Sequence, residues 1–388
     1  SGNWSEGLTA YMSDHLIQEE RGKGRIYRRK ALERYANFAA KERDFALSAF
    51  QSRHNETSQA VGYSKSLMLF HMLRNLSGEQ LFNQNIKNLW QRYQFQRVSF
   101  PDIIRQLFNG SDQEYKLFVN QWLNKPGAPI LSLGETHVSE SPSGYRLQME
   151  INQLQAGAPY VMQLPVDIQS AGEENQLRRI VTLAERRTLT TLDFEQRPQS
   201  ITLDPDYDVF RLLDSSEQPS SLGRLFGADK QLLVLPTKVS QEQKDAWQQL
   251  VKMWSSRYKN IHSIDDEQLS VLPQDTAVWL LGWENKALNA YQQRFKTSGQ
   301  QVLDRAVQIK DETLSAGNHA TVLLDADNSR TAMAFIGAEQ PQTITLLARK
   351  LPHYNSFGLL AFELPEVNNI IKKSLASKVS PLKRNLDD

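Results

Sequence analysis

Cysteine is absent from all 388 residues, which removes disulfides, thiolate catalysis and cysteine-bound metal, and is compatible with an oxidising compartment. No apolar run approaches the roughly 20 residues that a membrane-spanning helix needs. Neither G-x-G-x-x-G nor G-x-x-x-x-G-K-[ST] occurs, so nucleotide binding has no support from motifs. An excess of one charge is missing too: 45 Lys and Arg face 44 Asp and Glu, a net +1, which gives no global case for nucleic acid or an anionic surface. The seven histidines are His15, His54, His71, His137, His262, His319 and His353, and no two stand four apart. There is therefore no H-E-x-x-H, and no helical face carries two histidine ligands.

What is present is ordinary globular composition, 40% hydrophobic and 23% charged, in a chain long enough for about two or three domains. Up to about Pro129 the apolar period is helical. Leu8, Tyr11, Met12 and Leu16 share a face, Leu32, Tyr35, Phe38 and Ala39 continue the pattern, and Leu67 to Leu73 is apolar nearly all round, as a buried helix is. Further helices are expected over 78–93, 100–107 and 112–123. The period then changes to short strands, with strict alternation over Tyr145–Ile151, which suggests a small antiparallel sandwich. A Ser/Pro/Glu-rich linker at 215–221 follows. Beyond it, apolar runs at 231–235, 277–281, 320–324, 332–336, 343–348 and 358–362 read as buried strands, the first three separated by helical stretches. The fold expected is multidomain α+β: a helical region (1–128), a β-sandwich (129–214) and an α/β domain with a partly parallel sheet (215–388).

Several residues invite chemistry. Arg21 to Lys30 holds six cations, but only Tyr27 is interleaved with them, and a solvated loop and helix start is expected. His71 has no histidine or carboxylate three or four residues away, which favours a hydrogen-bonded core residue. Asp325, Asp327 and Asn328 lack the glycine and glutamate of a calcium loop and read as a polar turn. Pro352 to Asn355 reads as a loop.

The strongest stretch is Trp4-Ser5-Glu6-Gly7-Leu8-Thr9-Ala10-Tyr11, which resembles the W-x-E-G-x-x-x-Y run of zinc aminopeptidases of the gluzincin type. Val61-Gly62-Tyr63-Ser64-Lys65-Ser66-Leu67 resembles their Y-x-K-G segment, with Ser66 in place of the usual glycine. Trp122 to Pro129 resembles their W-x-x-x-P-G-x-P exit from the last helix. The resemblance covers about the first half of the chain and follows the family's order.

By that resemblance Glu6 is the third zinc ligand and Tyr63 the residue whose hydroxyl reaches the tetrahedral intermediate. The chain is then the C-terminal part of a zinc-dependent aminopeptidase, and the H-E-x-x-H helix belongs to a missing N-terminal part of the same protein. Zinc and a peptide substrate are expected for the full-length protein and no metal for this chain alone, which should be inactive by itself. The alternative is a binding or structural protein that keeps the scaffold without its chemistry. A periplasmic or cell-envelope location is expected, with a cytoplasmic one as alternative, and neither nucleic acid nor a membrane span is expected.

Overall fold

A computed structural model describes residues 3–40, 43–172, 176–297, 299–325, 331–375 and 380–386. It is a mixed helix-and-sheet protein with several sheets. The chain forms two compact units, one comprising residues up to Asp214 with the C-terminal strand, the other beginning at Ser215.

In the first unit, α1 (Ser5–Thr9) and α2 (Leu16–Glu20) form one rod joined by a π-helical turn at Ala10–His15. After α3 (Gly24–Phe38), a second rod runs from α4 (Glu56–Gln59) through a π turn at Ala60–Lys65 into α5 (Ser66–Ser77). A capping box starts this rod: Asn55 Oδ1 accepts from Ser58 N at 2.8 Å, and Ser58 Oγ accepts from Asn55 N at 2.9 Å, so two orphan amides are satisfied. Every residue from Leu67 to Leu73 is buried, so α5 is a core helix as expected. Gly78, at φ +80°, turns the chain into α6 (Glu79–Tyr93), followed by α7 (Phe100–Leu107), α8 (Asp112–Phe118) and a π turn at Val119–Asn124.

The strands that follow are β1 (Leu131–Ser141), β2 (Gly144–Gln153), β3 (Met162–Ser170), β4 (Leu177–Leu183), β5 (Arg187–Phe194) and β6 (Pro198–Leu203). Among the described residues they pair antiparallel in the orders β1-β2-β5 and β4-β3-β6. In β2, Leu147, Met149 and Ile151 are buried and their neighbours are not, the alternation seen in the sequence. The C-terminal strand Lys383–Asn385 pairs with β6, although the sequence reading left it with the α/β region. Three residues are too few for a period to show. Arg384 fixes the strand, donating to Leu133 O at 3.1 Å and Thr136 Oγ1 at 3.2 Å, across the bulge in β1.

The second unit contains α9 (Leu222–Phe226), β7 (Gln231–Leu235), α10 (Gln241–Arg257), β8 (Ile261–Asp265), β9 (Ala277–Leu281), α11 (Lys286–Tyr291), then β10 (Gln300–Leu303), β11 (Ala306–Ile309) and β12 (Glu312–Ser315) as a small sheet. The chain continues through β13 (His319–Leu324), β14 (Met333–Gly337), α12 (Pro341–Lys350), β15 (Leu359–Glu363) and β16 (Asn368–Lys373). The main sheet runs β16-β15-β13-β14-β9-β7-β8, with β14, β9, β7 and β8 parallel. Residues 343–348, expected as a strand, lie instead in α12. Pro341 in its first turn and the buried pairs Thr343/Ile344 and Leu347/Ala348 carry a helical period that the apolar run concealed. Asp327 and Asn328 lie outside the described residues, and Asp325 pairs with Arg294.

Candidate active site

Glu6 lies in the first turn of α1, where the helix dipole favours a carboxylate. That turn is anchored on both sides. Asn3 N donates to Phe50 O at 2.6 Å and Asn3 Nδ2 to Gln51 O at 3.0 Å, while Trp4 Nε1 donates to Val98 O at 3.0 Å. Tyr63 stands in the π turn Ala60–Lys65, with its ring 6.2 Å from Phe50, edge to face. The Glu6 carboxylate lies beside the Tyr63 hydroxyl, and its interaction with the phenol is the foremost cause of a Tyr63 pKa raised above its ordinary value. The two residues singled out in separate motifs are thus brought together.

The approach of the two rods depends on glycine. A Cβ on Gly7 would lie 1.8 Å from Ser66 Oγ and 2.3 Å from Ser66 Cβ, so the side chain at position 66 is accommodated because α1 offers none opposite it. Ser66 Oγ is buried there without a hydrogen-bond partner among the described residues. Gly62 is similarly obliged, since a Cβ would enter the Phe50 ring at 2.1 Å.

One turn further along, Tyr11 stacks on His15 at 4.9 Å and its hydroxyl stands 3.3 Å from His71 Nδ1. His71 Nε2 is 2.9 Å from Asp208 Oδ1, so His71 is the hydrogen-bonded core residue expected. His15, Glu19 and His71 each present a ligand atom, all within 4.8 Å of one another, a grouping invisible in the sequence because only Glu19 is close to His15 along the chain. Arg28 Nη1 stands 3.0 Å from both His15 Nε2 and Glu19 Oε2, and Arg74 also pairs with Glu19. A guanidinium fills the place of a cation, so this is an arginine-centred network. Burial, then the charges of His71 and Arg28, pushes the His15 pKa down to about 3. Arg28 is 6% exposed, which corrects the expectation of a solvated basic stretch: Arg21 and Lys23 are exposed, but the helical period of α3 turns Arg28 inward.

Glu6 belongs to no three-donor group among the described residues. Catalytic zinc needs three protein donors, and the side chains present here do not by themselves fit it.

Sequence reasoning gave Lys65 a place in a motif but no role. It is 1% exposed, and its Nζ donates to Lys125 O at 3.2 Å, Gly127 O at 3.1 Å and Asp44 Oδ2 at 3.5 Å. The signal was its place as the lysine of the Y-x-K-G-like segment, two residues after Tyr63. Through Lys65 the Tyr63 motif is bonded to the Trp122–Pro129 motif.

No protein-family model matches this chain. It is 30% identical over 103 residues to aminopeptidase N of Lactococcus lactis subsp. lactis, covering 24% of this chain and 12% of that protein. Over 147 residues it is 22% identical to mitochondrial aminopeptidase 2 of Saccharomyces cerevisiae, covering 34% of this chain and 15% of the relative. The chain therefore spans a small part of these relatives. A crystal structure of Legionella pneumophila aminopeptidase A in complex with aspartic acid aligns with a TM-score of 0.38 and 15% identity, over 64% of this chain and 27% of that one. Both sequence relatives are aminopeptidases, and this chain is similar to each of them over part of its length.

Proposed function

We propose that this chain contributes Glu6 and Tyr63 to the active site of a zinc-dependent aminopeptidase that hydrolyses N-terminal peptide bonds, the two histidine ligands coming from residues outside this sequence. The observation that carries the reading is that the Glu6 carboxylate and the Tyr63 hydroxyl lie beside one another on two segments in close contact at Gly7 and Ser66, which brings two family-like motifs to one point. In this reading residues 1–128 are the helical part of the catalytic domain, 129–214 with the C-terminal strand Lys383–Asn385 a structural sandwich, and the unit beginning at Ser215 an α/β domain to which no role is assigned.

With the two outside histidines, Glu6 would help hold zinc, whose chemistry there would be Lewis-acid activation of water. Tyr63 would donate its phenolic proton in a hydrogen bond to the oxygen on which charge develops, a task suited to a group that is uncharged near pH 7. This chain alone is expected to be inactive.

The test uses the parent-length protein with amino-acid anilides and a zinc assay. Glu6→Ala should lose zinc and activity together. Tyr63→Phe should keep zinc and lose roughly a hundred- to a thousandfold in kcat with little change in KM, as removal of one oxyanion donor does. A Glu6→Ala protein that keeps its zinc, or a fully active Tyr63→Phe protein, would overturn the assignment.

A further inference from the structure

We propose that Lys65 is the positioning residue for Tyr63: its buried ammonium locks the π turn Ala60–Lys65 to Asp44 and to the Lys125–Gly127 exit loop, and so sets where the Tyr63 hydroxyl stands. For catalysis this rests on the function proposed above.

A lysine ammonium has three protons and no acceptor. Here three oxygens receive them, those of Lys125, Gly127 and Asp44, and the Phe210 ring lies 5.3 Å from Nζ. A charge taken out of water is retained only with such partners. The anchor is itself held: Asp44 Oδ2 also accepts from Tyr35 OH at 2.8 Å and from Gly127 N, and Asp44 Oδ1 accepts from Phe45 N at 2.8 Å. Nζ therefore has one place to be. On another side the same turn meets the Phe50 ring, through Gly62 and Tyr63. Lys65 and Phe50 together grip a segment whose geometry is intrinsically uncommon and recurs at functional sites.

That grip matters because a π turn differs from α-helix by one inserted residue. If it relaxed, residues on one side would rotate by roughly 100° relative to the other, the angle of one α-helical residue. Tyr63 would then leave Glu6. Burial of Lys65, which lowers its pKa against the opposing charge of Asp44, agrees with an ammonium kept inside for its bonds.

The test is a double-mutant cycle in the parent-length enzyme, joined to a spectroscopic readout on this chain. Lys65→Met keeps an unbranched side chain and removes the cation. It should lower kcat by roughly ten- to a hundredfold, as a displacement of about 1 Å at a reacting group does, with KM within about twofold. In a Tyr63→Phe background the same substitution should change kcat by less than about twofold, because a residue acting through Tyr63 has nothing left to position. An equal loss in both backgrounds would overturn the inference while leaving the functional reading intact. In this chain, with 13C-labelled tyrosine, the ring signal that disappears in Tyr63→Phe should move in Lys65→Met. An unmoved signal in folded protein would also overturn the inference, whether or not the parent is a peptidase. Should Lys65→Met not fold, Asp44→Asn removes the counter-charge with an isosteric side chain and must give the same pattern.

Discussion

The Tyr63 hydroxyl and the Glu6 carboxylate lie beside one another although they stand on separate helical rods. That proximity has a direct consequence for titration. Ionising Tyr63 would set a second negative charge beside the Glu6 carboxylate, so its pKa is raised,. Glu6→Gln should lower the Tyr63 pKa toward the ordinary value of about 10, read from the Tyr63 NMR signal as pH rises. A titration identical in Glu6→Gln and wild type would contradict the pairing.

The Gly7–Ser66 contact predicts a rescue. Gly7→Ala places a methyl group 1.8 Å from Ser66 Oγ and should destabilise by about 1–3 kcal/mol, the usual cost of overpacking. Ser66→Gly in the same chain should recover part of the loss even though glycine is itself unfavourable within a helix. Ser66→Ala alone should be neutral or stabilising, since it deletes a buried hydroxyl without a partner among the described residues,. Denaturant midpoints of the variants check all three, and strict additivity would argue against the contact.

The buried histidines make stability depend on acid. Burial lowers both His15 and His71 in the folded chain. Above about pH 6.5 a histidine is neutral folded or unfolded, and below it only the unfolded chain takes the proton. Stability is therefore intact above pH 6.5 and falls as pH drops toward about 3, the value for His15, by up to about 1.4 kcal/mol per pH unit per histidine. Glu19 and Asp208, both lowered in the folded state, act in the same direction below their unfolded values near 4. Asp204 and Glu33, pushed up by burial to about 6 and about 7, act oppositely. His15→Gln isolates the histidine: Gln can still accept from Arg28, and the variant should lose less melting temperature than wild type between pH 7 and pH 5. An equal or larger loss would exclude His15 as the cause.

Zinc binding by this chain should be negligible. Among the described residues the single three-donor group is His15, Glu19 and His71, and Arg28 already bridges two of its members. Dialysed protein should contain well below one equivalent of zinc by atomic emission. One retained equivalent would show that the guanidinium yields to a metal.

Much of the architecture is determined by local pattern. The core helix α5 follows from an unbroken apolar run, β2 from strict alternation, and α7 and α8 from Ser99 and Ser111 as caps. These signals act over a few residues and can be read along the chain. Glu6 and Tyr63 were legible as motif members for the same reason. Where period and length compete, as in 343–348, the local pattern was ambiguous, and a three-residue strand such as Lys383–Asn385 had none. Tertiary structure alone decided that Glu6 reaches Tyr63, that Arg28 centres the His15–Glu19–His71 cluster, and that Lys65 finds Asp44 and the carbonyls of Lys125 and Gly127. Each of these joins polar groups from distant segments whose cost of burial is met only when the whole unit packs, so no window of sequence contains the partner that makes the residue stable where it lies.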